Sequence, residues 1–165
     1  MNRRFRLFHG IALLLIAWPI VARGPSSAAS LLAADVAIVV HPNVPVDDLS
    51  LAEVRKIFMG DRQFWSPNLR VTLLIRAPVA RERDIVLKSL YQMTEAQFRQ
   101  YWISKVFRAE AVSGPKIVYS NEMTTELVNS IPGCIAFVDA SQVPKNLKVV
   151  KINGLLPGDK GYPLH

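Results

Sequence analysis

The chain has 165 residues, of which 20 are Lys or Arg, 13 are Asp or Glu and one, Cys134, is a cysteine. This length suits one domain, and a lone cysteine excludes an intramolecular disulfide. Four arginines lie in the first thirty residues, so sixteen basic and thirteen acidic residues remain beyond them, a net charge of +3. That part has no Lys/Arg block and no nucleic-acid-binding motif. The sequence therefore predicts no nucleic-acid partner and only a mild attraction for small anions.

The first thirty-four residues have the layout of a secretory signal peptide. Arg3, Arg4 and Arg6 form a basic start, residues 11–21 are an apolar run, and small residues follow at 26–30. This pattern predicts export to the periplasm, a cleaved signal peptide at residues 1–34 and a mature domain at residues 35–165. Cleavage after Ala29 or after Ala34 suits the preference for small residues. The alternative is an uncleaved membrane anchor, but the run is shorter than the ~20 residues that a spanning helix needs.

The mature part opens with a buried strand and an amphipathic helix. Residues 35–41 are an apolar, largely β-branched run, which is typical of a strand covered on both faces. Ser50 and Glu53 have the spacing of a capping box, so a helix is predicted to start at Ser50, and Gly60 suits its end. Apolar residues repeat at helical spacing between them, so one face of this helix needs a sheet to cover.

The second predicted strand, residues 70–76, ends at Arg76 and leads through a short turn to a helix beginning near Ala80. Unpaired backbone N–H groups and the positive end of the helix dipole can hold an anion at such a point. Arg76, Arg81 and Arg83 bracket it, and the guanidinium fork suits phosphate or carboxylate oxygens. This is the main candidate binding site. The alternative is a solvated first turn, in which neighbouring acidic residues neutralise Arg81 and Arg83.

The second half of the chain continues the alternation of helices and strands. Thr94 and Gln97 form another capping box, and the aromatic residues of the helix that follows share one face, which predicts core packing. After a short strand at residues 115–119, Ser120 or Asn121 caps a further helix. Strands at residues 134–138 and 147–152 complete an α/β domain. Its mixed sheet, flanked by three or four helices, is predicted to contain strands from Val36, Val71, Ile117, Ile135 and Leu147.

Catalytic and metal-binding chemistry have little support in the sequence. His9, His41 and His165 are far apart, so no metal site is predicted. Cys134 lies in an apolar strand and is predicted to be a buried core residue. No nucleophile with an adjacent base and no pair of carboxylates at a useful spacing is recognisable. The chain is therefore predicted not to be an enzyme and to carry no cofactor.

Several motifs, taken in order, resemble those of a known family. They are Ile57-Phe-Met-Gly60 with Trp65, Tyr101-Trp102, Pro132-Gly-Cys-Ile-Ala-Phe-Val138, and Ile152-Asn-Gly154 with Tyr162-Pro-Leu164. Over residues 35–164 the chain resembles the phosphate-binding proteins of ABC transporters. The resemblance implies a single lobe of the type II periplasmic-binding-protein-like fold. The chain departs from the family at Ala80-Arg81-Glu82, where the family carries Ser-Gly-Thr, so that two hydroxyl donors are lost and a carboxylate is added.

Two functions follow as hypotheses. In the first, the chain is an exported solute-binding-type protein that recognises phosphate or a related small oxyanion. Its site would comprise Arg76, Arg81 and the helix N-terminus near Ala80, with Ser120 and Asn121 at the next cap. Its partners would be this anion and a membrane transporter or another periplasmic protein. In the second, the single lobe has lost anion binding and is a periplasmic interaction or regulatory module, which predicts an apolar patch in place of converging arginines.

Overall fold

The computed structural model describes residues 35–165, so the predicted signal peptide lies outside the described residues. The strands in this range are β1 (Val36–Val40), β2 (Asp48–Leu49), β3 (Phe64–Ser66), β4 (Leu69–Arg70), β5 (Thr72–Arg76), β6 (Lys116–Val118), β7 (Cys134–Asp139), β8 (Lys148–Val149) and β9 (Lys151–Ile152). The α-helices are α1 (Leu51–Phe58), α2 (Arg81–Val86), α3 (Glu95–Phe107) and α4 (Asn121–Ser130). Helix α2 continues as a π-helical segment at Leu87–Tyr91, and a 3₁₀ turn at Ala140–Gln142 follows β7.

Five strands form the central mixed sheet in the order β6-β5-β7-β1-β8. Strands β6, β5 and β7 are parallel, whereas β1 is antiparallel to both β7 and β8. All five strands predicted from the sequence contribute residues to this sheet, the last one only with its first part, and helices flank the sheet. The predicted α/β architecture is therefore confirmed.

The last predicted strand differs from the expectation, because residues 147–152 form two short strands. Strand β8 pairs with β1 in the central sheet, and β9 pairs in parallel with β2 in a separate two-stranded sheet. The backbone changes partner at Val150, whose N–H donates to the Ile38 carbonyl, and at Lys151, whose N–H donates to the Asp47 carbonyl. A continuous apolar run in the sequence contains no signal for this change of partner.

Helices cover both faces of the sheet. Every residue of β1 is buried, with Val36, Ile38 and Val40 in one hydrophobic cluster and Ala37 and Val39 in another. The first cluster contains residues from α1, the α2 segment and α3, and the second contains residues from α4. Alternate residues of a strand point to opposite faces, so this division confirms the predicted strand buried on both sides.

Cys134 belongs to the second cluster and is fully buried, as predicted. Its burial raises the pKa of the thiol to about 12, because the thiolate would lose its hydration. The side chain is therefore a small apolar core residue at physiological pH.

The predicted helix starts are confirmed by their hydrogen bonds. Ser50 accepts from the Glu53 N–H while the Glu53 carboxylate accepts from the Ser50 N–H, and Thr94 and Gln97 form the same reciprocal pair. Helix α4 begins after Ser120, whose hydroxyl oxygen accepts from the Met123 N–H at 3.0 Å. Ser120 is therefore the cap of α4.

The family-like motifs hold the elements together. Gly60 has φ 73°, and a Cβ there would lie 2.7 Å from Trp102 Cη2. Gly133 has φ 72°, and a Cβ there would lie 2.1 Å from the Arg70 carbonyl oxygen, while the Gly133 carbonyl accepts from Trp65 Nε1 at 2.8 Å. Only glycine permits these close approaches without strain.

We expect Gly133→Ala to lower the free energy of unfolding by about 2–4 kcal/mol, since a left-handed alanine and an overpacked contact both cost energy. Gly161→Ala is the matched control, because Gly161 has φ 90° but its nearest neighbour, Leu155 Cδ1, would lie 3.9 Å from the added Cβ. Urea unfolding of both variants measures the difference. Equal losses would show that the contact with Arg70 contributes nothing.

Candidate functional site

The three parallel strands end at one edge of the sheet, which we call the carboxyl edge. Arg76 is the last residue of β5 and pairs with Val118, the last residue of β6, while β7 ends beside them at Asp139. In open α/β sheets, ligands bind at the carboxyl ends of parallel strands. The loops after these strands carry most of the residues predicted from the sequence to bind an anion.

Arg76 is the central residue of this edge. Its side chain is buried, with 8% of the residue exposed, and among the described residues neither Nε nor Nη1 has a hydrogen-bond partner. A buried guanidinium is normally fully hydrogen-bonded, because its desolvation costs several kcal/mol otherwise. Unpartnered donors on a buried guanidinium mark a place where an anion could supply the missing hydrogen bonds.

Asn121 and Ser120 lie at the start of α4, next to this edge. Asn121 is buried, its Nδ2 donates to Gln142 Oε1 at 2.6 Å, and its Oδ1 has no partner in the described part of the chain. The pKa of the exposed Glu122 carboxyl lies below its usual value, because its own N–H and the Ser120 hydroxyl hydrogen-bond to it and Arg76 adds a favourable charge. A carboxylate thus lies within the electrostatic reach of Arg76.

The loop between β5 and α2 contributes Arg81 and Glu82. Arg81 Nη2 lies 3.1 Å from Asp139 Oδ2, so this arginine is held at the end of β7. Glu82 is buried, and its Oε1 lies 3.5 Å from Asn121 Nδ2. Ala80 precedes α2 and makes no side-chain capping bond. The carboxylate of Glu82 therefore lies inside the site, at one of the positions where the chain departs from the Ser-Gly-Thr pattern.

Arg83 is engaged by the fold instead. Its Nε and Nη2 donate to the Glu95 carboxylate at 2.8 and 2.9 Å, and its Nη1 donates to the Arg76 carbonyl at 2.5 Å. The guanidinium also lies over the Phe98 ring, 4.9 Å from its centroid. These contacts tie α2 to α3 and to the end of β5, and all three guanidinium nitrogens of Arg83 are engaged in them.

Sequence reasoning missed Asp139 and Gln142 as residues of this edge. Asp139 directly follows a buried strand, which is a position where functional side chains are common in α/β sheets, so the signal was present. Burial would raise the pKa of Asp139, but the Ser141 hydroxyl and N–H and the Arg81 guanidinium outweigh it and hold the pKa below its usual value.

This pKa shift predicts a pH dependence. A carboxyl whose pKa is lower in the folded than in the unfolded chain stabilises the fold above its unfolded pKa, about 3.9, and loses that effect as the pH falls through the folded pKa. Asp139→Asn should therefore lower the free energy of unfolding by about 1 kcal/mol at pH 7 and by less at pH 3. Asp47→Asn, at a mostly exposed ion pair with Lys148, is the control and should change stability less. Urea unfolding at both pH values measures this, and a loss at pH 3 equal to that at pH 7 would contradict it.

The turn at residues 77–80 is strained. Val79 has φ 69° and is 99% exposed, and the Ala80 N–H donates to the Ala77 carbonyl at 3.4 Å. Pro78 and Val79 occupy the central positions of this turn, and a positive φ at the second of them is typical of a type II turn, in which glycine is preferred. Strain of this kind often marks functional loops.

We expect Val79→Gly to raise the free energy of unfolding by about 0.5–1 kcal/mol, because the relief of left-handed strain exceeds the entropy cost of glycine. Val112→Gly is the control, since Val112 is also exposed but has no positive φ. It should lower stability. Thermal unfolding distinguishes the two, and a loss in both variants would show that the turn is unstrained.

Solved structures share this fold. One is a phosphate ABC transporter substrate-binding protein with bound phosphate from Clostridium perfringens, with a TM-score of 0.60 and 19% identity over 74% of this chain and 46% of that chain. Another is an ABC-type phosphate transport receptor from Vibrio cholerae, with a TM-score of 0.59 and 20% identity over 74% and 48%. PstS from Borrelia burgdorferi has a TM-score of 0.58 and 18% identity over 74% and 49%. The fold is a periplasmic-binding-protein fold.

The expected fold is thereby confirmed, and identities of 18–20% establish the fold alone. The chain spans about half the length of these neighbours, which are binding proteins and not enzymes. No family model matches the chain, and no curated protein matches it. Within residues 35–165, no helix has the length and apolar character needed to cross a bilayer.

Proposed function

We propose that this chain is an exported solute-binding-type protein that binds phosphate or a related small oxyanion at the carboxyl edge. The buried guanidinium of Arg76, with two unpartnered nitrogens, is the observation that carries the proposal. An oxyanion would hydrogen-bond to this guanidinium and bring a negative charge beside it. Water would supply hydrogen bonds but no charge.

The surroundings of Arg76 supply further anion-binding groups. Helix α4 has ten residues and starts beside Arg76, so its dipole favours a negative charge there. Arg81 adds a second positive charge beside the end of β7, although its ion pair with Asp139 partly neutralises that charge. The periplasmic-binding-protein fold supports the same class of function, since the neighbour from Clostridium perfringens has bound phosphate.

Three carboxylates limit the affinity of this site. Glu82 is buried beside Asn121, Glu122 lies near Arg76, and Asp139 holds Arg81. Each weakens the attraction for an oxyanion, and salt further screens the exposed charges of Arg81 and Glu122. We therefore propose that the chain binds the anion with modest affinity. Export through cleavage of residues 1–34 and delivery of the anion to a membrane transporter belong to the same proposal.

Calorimetric titration with phosphate and sulfate tests the proposal. Arg76→Ala should weaken binding by about 1.5–3 kcal/mol, roughly 10- to 150-fold, because a charge-assisted hydrogen bond is lost. Arg99→Ala is the matched control, since Arg99 is an exposed arginine on α3, and binding should be unchanged. Unfolding curves of Arg76→Ala should show an intact fold.

Glu82→Thr should strengthen binding, because it removes a buried negative charge and restores a hydroxyl donor. Circular dichroism of the variant controls for folding. If neither the wild-type protein nor Glu82→Thr binds an oxyanion at millimolar concentration, the proposal fails.

A second function is favoured by apolar residues at the same edge. Val79 is 99% and Tyr119 74% exposed, and Met123 in the first turn of α4 is 39% exposed. Exposed apolar groups around strand ends suit a protein–protein contact. Under this alternative, the chain is an interaction module that binds a partner protein or itself through the carboxyl edge. Sedimentation of the wild-type protein and of Tyr119→Ser tests this alternative. Self-association that is lost in Tyr119→Ser would support the interaction module. If the protein is a monomer and binds no oxyanion, the module would have to bind a different protein.

A further inference from the structure

A cavity of about 210 Å³ lies at the opposite edge of the sheet, where β5 and β6 begin. Thr72 and Leu73 line it from the start of β5, Val71 lines it from just before that strand, and Lys116 lines it from the start of β6. Since β5 runs from Thr72 to Arg76, the cavity and the carboxyl edge lie at opposite ends of the same strand. It is therefore separate from the proposed oxyanion site.

The walls of this cavity are largely apolar. Ile57 and Trp102 line it from α1 and α3, and Ala111 and Pro115 line it from the segment before β6. Gly60 also lines it and leaves room for the Trp102 ring, which a Cβ would meet at 2.7 Å. An apolar cavity of about 150 Å³ can hold benzene, so this cavity has the size for one aromatic ring and a small substituent.

Three positive charges line the cavity, and no acidic residue does. Arg62, Arg70 and Lys116 are among its lining residues, and none of them has an ion-pair partner within residues 35–165. Arg62 lies over the Trp65 ring and Arg70 over the Phe64 ring, with centroid distances of 5.3 and 5.6 Å. Aromatic contacts thus position the two guanidinium groups without neutralising them.

Carboxylates near this edge are already paired with other cations. Asp61 follows the lining residue Gly60 but bonds Lys105, and Glu110, whose carbonyl accepts from Gln63 Nε2, holds Arg108 through its carboxylate. Hydrogen bonds from Ser50 and, more weakly, the charge of Arg62 lower the pKa of the exposed Glu53 carboxyl, so Glu53 offsets only part of the positive charge of the cavity. The remainder is left for a ligand. An apolar body and a net positive rim together select an amphiphilic anion.

We propose that this cavity binds a small aromatic monoanion of the size of benzoate. The ring lies against the apolar walls, and the acid group lies at the rim with Arg62, Arg70 and Lys116. The apolar body is what distinguishes this ligand from the inorganic oxyanion proposed for the carboxyl edge. Binding here does not depend on that other proposal.

Titration of the ¹⁵N-labelled protein with benzoate, benzamide and phosphate tests the inference by chemical-shift mapping. Benzoate should shift the Trp102 indole N–H and the amides of residues 111–116, and should bind about tenfold more tightly than the neutral benzamide. Phosphate lacks the apolar body and should leave these signals unchanged. Shifts that are equal for benzoate and benzamide, or absent with benzoate at millimolar concentration, would overturn the inference.

Charge variants locate the acid group. Arg70→Gln and Lys116→Gln should each weaken benzoate by about fivefold and leave benzamide unchanged, since each contributes a partly solvated charge. Both residues are exposed, so the fold should tolerate the substitutions. Arg99→Gln and Arg76→Ala are controls at other sites and should leave benzoate binding unchanged. Unaltered benzoate affinity in the Arg70→Gln, Lys116→Gln double variant would overturn the inference, as would loss of benzoate binding in Arg76→Ala.

Discussion

Burial of the two central strands on both faces governs the rest of the structure. All five residues of β1 are buried, and in β7 only Asp139 at its end is not. Such a pair of strands needs helices above and below, and it carries no charged side chain before Asp139. The charged residues of both candidate sites consequently lie at strand ends, in loops and on helices.

The two ends of β5 have different electrostatic character. At the carboxyl edge, Arg76 and Arg81 lie among three carboxylates, yet two nitrogens of the buried Arg76 guanidinium have no hydrogen-bond partner within residues 35–165. At the opposite edge, nearby carboxylates are paired with Lys105 and Arg108, and the cations of the cavity form no ion pair within residues 35–165. For a small, highly charged oxyanion, the largest part of the binding free energy would come from the buried donors of Arg76. An amphiphilic anion gains from both the rim and the apolar walls of the cavity.

The motifs that resemble phosphate-binding proteins are structural in this chain. Gly60 admits Trp102, Gly133 admits the Arg70 carbonyl, and Trp65 bonds the Gly133 carbonyl. Tyr101 likewise donates to the carbonyl of Met59. These contacts depend on close approach of backbone and rings, which few substitutions preserve. Such motifs can therefore persist while the loop at Ala80-Arg81-Glu82 differs, and a resemblance carried by them indicates the fold more firmly than the ligand.

The sequence by itself determined the features that depend on neighbours within a few residues. Capping boxes at Ser50 and Thr94 and the alternation of buried strands with amphipathic helices were sufficient for the helix starts, the five sheet strands and the α/β class. Only the tertiary structure decided the pairings made across long stretches of chain. It turned Arg83 towards Glu95, joined Arg81 to Asp139, and divided the last predicted strand between two sheets. A side chain's partner depends on which elements pack beside it, and that information is spread over the whole chain rather than over one local pattern.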